Sequence, residues 1–140
     1  MIETIIALAT PAGESALAVI RISGPLSHII AKEACDCTNP SPRKTYLVDY
    51  QSCDGETLDQ VVITLFNEGK SYTGNDSLEI SCHGNPLIIE LISKDLMNRG
   101  CRIAQPGEFT KQAFLNGKID LPQAESVAQI IAAKNEQALA

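Results

Sequence analysis

Two charged residues stand where apolar ones are expected. Arg21 interrupts Val19-Ile20-Arg21-Ile22-Ser23, and Glu79 interrupts Leu78-Glu79-Ile80. A long cation in an apolar strand either reaches out along an edge or serves an anion held inside. If both side chains enter one cavity, they pair with each other or they hold a ligand. On spacing alone, structural pairing is the stronger reading. His83 lies in Cys82-His83-Gly84-Asn85, between the end of a strand and the start of a helix, where anions are attracted. Its plainer role is a turn histidine bonded to backbone. Cys82 and His83 do not suit a nucleophile and its base, because neighbours on a strand point to opposite faces. His28 falls off the apolar stripe of its helix and reads as a solvated surface histidine. Lys118, on the loop before the last helix, reads as a solvated lysine.

Cysteine usage and charge narrow the chemistry further. The five cysteines are Cys35, Cys37, Cys53, Cys82 and Cys101. Their number is odd and Met1-Ile2-Glu3-Thr4 offers no basic leader, so reduced thiols are expected rather than a disulfide framework. Cys35-Asp36-Cys37 is a C-x-C with no C-x-x-C to complete it, so no metal site is expected. Neither G-x-x-x-x-G-K-S/T nor G-x-G-x-x-G occurs, so the chain has no nucleotide phosphate loop of either kind. Lys plus Arg is 11 against 17 Asp plus Glu, a net charge of −6. Nucleic-acid affinity comes largely from cation–phosphate contacts, so this chain is not a main nucleic-acid grip. At 140 residues, with 44% apolar and 20% charged residues, it can bury one real core without staples. No apolar run approaches the roughly 18 residues of a membrane helix.

The elements that must position these residues follow from periodicity. Thr4 to Thr10 and Ala16 to Ser23 read as strands, broken by Pro11-Ala12-Gly13. Pro25 to about Ala34 reads as a helix with Leu26, Ile29, Ile30 and Ala34 on one face and Ser23 near its start. Residues 36–43 are a polar loop with Pro40 and Pro42. Thr45 to Tyr50 and Leu58 to Phe66 form two strands with hairpin spacing around Cys53-Asp54-Gly55. A polar loop, Asn67 to Asp76, leads into the alternating strand Ser77 to Cys82. Asn85 is a good N-cap and Pro86 suits the first helical position, ahead of a stripe of Ile88, Leu91, Ile92 and Leu96 closed by Gly100. Cys101 to Ala104 is a short strand, and Gly107 to Leu115 a short helix closed by Asn116-Gly117. Asp120 and Gln123 then form a capping-box-like pair for a last helix that carries no stop signal. The order β-β-α-β-β-β-α-β-α-α is not strictly interleaved, so an α+β class with a mixed or antiparallel sheet and packed helices is expected. The unstopped helix reads as the front part of a longer protein.

Several motifs occur together in one order: Ala7-Leu8-Ala9-Thr10-Pro11, Arg21-Ile22-Ser23-Gly24, Ser71-Tyr72-Thr73-Gly74, Glu79 to Gly84, and Pro106-Gly107-Glu108-Phe109-Thr110. Ala113-Phe114-Leu115-Asn116-Gly117-Lys118 and Asp120-Leu121-x-Gln123-Ala124-Glu125 follow. In these the chain resembles the N-terminal domain of the MnmE (TrmE) family of tRNA-modification GTPases, over nearly its whole length. The resemblance implies a folate domain like that of aminomethyltransferases over residues 1–118. Residues 119–140 would then begin a helical domain into which the family inserts its GTPase domain. It implies binding of 5-formyl- or 5,10-methylene-tetrahydrofolate, homodimerisation, and work beside the FAD-dependent MnmG. The pair would place an aminomethyl-type group on C5 of the wobble uridine of tRNA, in the cytoplasm and with no membrane. GTP, Mg2+ and K+ would belong to the parent, outside these residues, and no catalytic residue of the GTPase falls within them.

The family's folate contacts carry over to Arg21, Glu79 and Lys118. A pterin presents adjacent N–H donors that a carboxylate accepts in parallel, which suits Glu79, and the anionic tail suits Arg21 or Lys118. The resemblance therefore reverses the reading of Arg21 and Glu79 toward ligand binding. The chain departs from the pattern at Ala12-Gly13-Glu14-Ser15-Ala16, at His83-Gly84-Asn85, where a second glycine is lost, and at Asn75, where the family has Glu. If that second glycine needs a positive φ, Asn is its least costly substitute. A dimerisation-only module and a free-standing one-carbon transferase are the competing readings. The three residues together favour folate binding over the first, and the unstopped helix argues against the second.

Overall fold

The structure, a computed structural model, describes residues 2–10 and 16–139, the last six of these by backbone alone. The expected break at Pro11-Ala12-Gly13, and all but Ala16 of the departure at residues 12–16, lie outside the described residues. Among the described residues, six strands and four helices follow in the expected order: β1 (Ile5–Leu8), β2 (Leu17–Ser23), α1 (Ser27–Glu33), β3 (Thr45–Gln51), β4 (Thr57–Phe66), β5 (Ser77–His83), α2 (Pro86–Asn98), β6 (Arg102–Ile103), α3 (Glu108–Leu115) and α4 (Leu121–Leu139). The strands form one sheet in the order β3-β4-β5-β2-β1-β6. Every pairing is antiparallel except β1 with β6. This is a mixed α and β domain with a mixed sheet.

Period-two alternation gives the sheet one closed face. Ile20, Ile22, Ile63, Leu65, Leu78 and Ile80 are buried there, against Ile30, Ala31 and Ala34 beside α1 and Ile92 and Leu96 of α2. Arg21, Glu79, Thr64 and Ala7 share one register row on the opposite face. Each fully buried Ile or Leu side chain stabilises the fold by about 1.5–3 kcal/mol.

Two helical stripes differ from expectation. In α1, Ile29 is 48% exposed, and the inward positions are Ser27, Ile30, Ala31 and Ala34. Ser27 tolerates burial because its hydroxyl donates to the Gly24 carbonyl at 2.8 Å. Ser23 does not cap this helix. The helix start is capped from a distance, as Leu26 N–H donates to Thr4 Oγ1 at 3.0 Å. In α2, Leu91 is 40% exposed, whereas Asp95 is 5% exposed. Asp95 accepts from the Tyr50 hydroxyl (2.6 Å), the Cys53 N–H (2.9 Å) and Arg99 Nε (2.8 Å). Burial alone would raise its pKa, but the bonds from Tyr50, Arg99 and Cys53 outweigh this and hold it below the usual carboxylate range. The network ties the end of β3 to α2.

The expected caps form. Asn85 accepts from Leu87 N–H at 2.8 Å, and Asp120 and Gln123 exchange bonds at 2.8 and 2.9 Å. Asn85 has φ −86°, so the position of the lost glycine needs no left-handed backbone here. Among the described residues no helix is long and apolar enough to cross a membrane.

Candidate functional site

Register places Arg21 directly opposite Glu79 across the β2–β5 pair, on the face away from α1 and α2. Arg21 Nε and Nη2 both donate to Glu79 Oε2, at 3.0 and 2.9 Å. Among the described residues nothing engages Glu79 Oε1 or Arg21 Nη1. The pair is half-buried, so its mutual attraction is not wholly screened by water. The Arg21 guanidinium also lies against the Tyr72 ring, 5.6 Å from its centroid.

Tyr72 is held out by its neighbours. Ser71 and Thr73 are buried while Tyr72 is 41% exposed. The Ser23 hydroxyl lies 2.7 Å from that of Thr73 and donates to Gln112 Oε1 at 3.0 Å. Asn116 Nδ2 donates to the Thr73 carbonyl at 2.7 Å. Gly74, at φ +86°, passes so close to Asn116 that a Cβ would sit 2.7 Å from the Asn116 Cβ. The loop after β4 is thus fixed to β2 and to α3, and the Tyr72 hydroxyl lies 3.2 Å from that of Thr110.

Arg21 and Tyr72 border two cavities. The larger, about 500 Å³, is walled by residues 7–9, residues 104–110 and Ile131. That volume lies within the range of small-molecule sites. The smaller, about 170 Å³, adds Phe66, Lys70, Ser77 and Glu79. The 104–110 wall is braced by Arg102, which grips Glu108 through two bonds of 3.0 and 2.6 Å and also reaches Glu3. The Arg102 bond holds the Glu108 carboxyl below the usual range, and Glu108 also accepts from Gln105 N–H at 2.8 Å.

The structure therefore brings Arg21 and Glu79 together and sets Lys118 apart. Lys118 Nζ donates to the Gly69 carbonyl at 2.9 Å and lines neither cavity, although it touches the same loop that carries Tyr72. Tyr72 and Thr110 are the residues that reasoning about single sites missed. The signal was an aromatic set between two hydroxyl residues in Ser71-Tyr72-Thr73. His83 stands elsewhere, and its partner is not mainly backbone: Nδ1 and N–H meet the two oxygens of Asp59 at 2.8 and 2.9 Å. His28 lies 3.5 Å from Asp76. All five cysteines are free. Burial pushes Cys35 up to about 12 and Cys82 and Cys101 each up to about 11, which leaves them as inert thiols. Among the described residues no three His, Cys, Asp or Glu side chains group closely enough to hold a metal ion.

Residues 4–118 match the family model described as GTP-binding protein TrmE N-terminus. A tRNA modification GTPase MnmE of Opitutus terrae is 54% identical over 99% of the chain and 30% of its own length. Proteins of the same name from Thermosipho melanesiensis and Flavobacterium psychrophilum are 48% and 47% identical, over 99% and 97% of the chain and 31% and 30% of their own lengths. The chain thus spans about three-tenths of the length of these curated relatives. With a match that runs from β1 past α3 and takes in both members of the opposed Arg21–Glu79 pair, the chain belongs to the TrmE N-terminus family, the N-terminal domain of MnmE.

Proposed function

We propose that this domain binds a reduced folate, 5-formyl- or 5,10-methylene-tetrahydrofolate, and supplies a one-carbon unit to a tRNA-modifying GTPase. The observation that carries the reading is the opposed Arg21–Glu79 pair, with Arg21 bordering both the 500 Å³ and the 170 Å³ cavity and Glu79 lining the smaller one, and with Glu79 Oε1 and Arg21 Nη1 unengaged among the described residues. A carboxylate oxygen and a guanidinium edge that the described residues leave unengaged offer an acceptor and a donor side by side. That set fits a pterin edge and its carbonyl, and the apolar remainder of the wall fits the aromatic body of the ligand. Lys118 lines neither cavity, so as the third contact, a cation for the anionic tail, it would meet the ligand outside them, beside the loop that carries Tyr72, where it now donates to the Gly69 carbonyl.

The relatives' shared name, tRNA modification GTPase, supports the larger role. In it the chain is the folate and dimerisation module of a homodimer with an aminomethyltransferase-like fold. The family match ends at residue 118, which supports a helical domain beginning at α4. The parent binds GTP, Mg2+ and K+ elsewhere, joins the FAD-dependent MnmG, and modifies C5 of the tRNA wobble uridine in the cytoplasm. One observation favours a second reading: Arg21 and Glu79 satisfy each other, as a purely structural pair would in a module kept for dimerisation alone.

Calorimetric titration of the chain with 5-formyltetrahydrofolate, beside a Glu79→Ala variant, separates the two. The folate reading expects binding that the variant loses. A folded, dimeric wild-type chain that binds nothing leaves dimerisation as the main role.

A further inference from the structure

We propose that Tyr72 is a positioning residue of this site, acting through Arg21: its ring fixes which N–H edge of the guanidinium the ligand meets. The inference rests on the folate reading above. A guanidinium on a flexible stem can turn any of its five donors toward an anion. Here Glu79 takes Nε and Nη2, and the Tyr72 ring stands 5.6 Å from Cζ. With Nε and Nη2 paired to Glu79 and the Tyr72 ring close to Cζ, Nη1 is the nitrogen left to a ligand among the described residues. Among the described residues, Tyr72 and Arg21 are also the two that border both cavities.

The surroundings show that this placement is built. Ser71 is 5% and Thr73 0% exposed, and their hydroxyls bond within the loop and to β2, yet the aromatic between them is held out at 41%. A residue serving the fold would turn its ring inward and bury that area. The hydroxyl contact with Thr110 is long, at 3.2 Å, and exposed, so it adds little to the fold. Its effect is to set the ring against the wall that carries α3.

The test uses the full chain with Tyr72→Leu, Tyr72→Phe, Arg21→Gln and the Tyr72→Leu/Arg21→Gln double variant. The dissociation constant for 5-formyltetrahydrofolate and the thermal midpoint are read for each. Tyr72→Leu should weaken binding about tenfold with little change in midpoint, and Tyr72→Phe should weaken it less than about threefold. In the Arg21→Gln background, Tyr72→Leu should cost less than about twofold, because the residue it positions is gone. A readout without ligand accompanies these: hydrogen exchange at Arg21 Nε–H should quicken several-fold in Tyr72→Leu and stay unchanged in Tyr72→Phe. Equal losses in both backgrounds, or unchanged exchange in Tyr72→Leu, overturn the inference. Wild-type affinity in Tyr72→Leu overturns it while the folate reading stands, and no binding by wild type overturns both.

Discussion

Asp95→Ala is the perturbation whose cost can be worked most fully from the structure. The carboxylate is 5% exposed and accepts three bonds, from Tyr50, Cys53 N–H and Arg99. Removing it strands the Tyr50 hydroxyl, on a residue that is 0% exposed. An unsatisfied buried donor costs about 1–3 kcal/mol. It also strips Arg99, 11% exposed at its side chain, of its main partner. Breaking a buried ion pair costs about 3–5 kcal/mol, but Arg99 keeps the Gln51 carbonyl at 2.8 Å and a distant Glu33, so only part of that applies. The sum is about 3–4 kcal/mol, or about 10 °C in thermal midpoint for a chain of this size. Tyr50→Phe, which removes one bond and strands no charge, should cost about 1 kcal/mol. The chain has no Trp, so urea unfolding is best followed by far-ultraviolet circular dichroism at neutral pH. A loss for Asp95→Ala below about 1 kcal/mol, or no larger than that of Tyr50→Phe, refutes the reasoning.

Acid should weaken this network and the separate Arg102–Glu108 pair. Asp95 and Glu108 are both held below the usual carboxylate range, so their stabilisation is complete above the unfolded value near 4 and is lost as pH falls through the folded value. The thermal midpoint should be level between about pH 7 and 5 and fall below about pH 4, with a shallower fall in Asp95→Asn. A midpoint that rises on acidification contradicts the assignment. Gly74→Ala should cost more than Gly55→Ala, although both have φ above +80°. At Gly74 the new Cβ meets Asn116 at 2.7 Å, while nothing lies within 4 Å at Gly55. Strain alone costs about 1–2 kcal/mol, and the clash should add at least about 1 kcal/mol in the same urea experiment. Equal losses would mean that the loop carrying Tyr72 yields freely.

Local chemistry was enough to read the elements. β-Branched alternation gave the strands, and residues that satisfy helix-end N–H groups, Asn85 and the Asp120–Gln123 pair, gave two helix starts to the residue. Such signals act within a few positions and need no partner. The class of fold followed from element order. The motifs gave Arg21, Glu79 and Lys118 as candidates, and showed nothing of how they stand to one another.

Everything that required long reach was settled by tertiary structure. Arg21 and Glu79 are 58 positions apart, and only the β2–β5 register sets them side by side. A shift of one residue would have turned one of them into the core. The inward phase of α1 passed to Ser27 because the Gly24 carbonyl was there to accept its hydroxyl. Asp95 went inward on α2 because Tyr50 of β3, Cys53 of the turn that follows it and Arg99 at the C-cap of α2 converge on it. A polar residue looks like a surface residue in sequence, and whether it can be buried depends on partners the local pattern does not contain. Tyr72 shows the same limit in reverse: its motif was legible, but its place against Arg21 depends on the buried hydroxyls of β2 and the 71–75 loop, and on the Gln112 amide of α3, which hold its neighbours down.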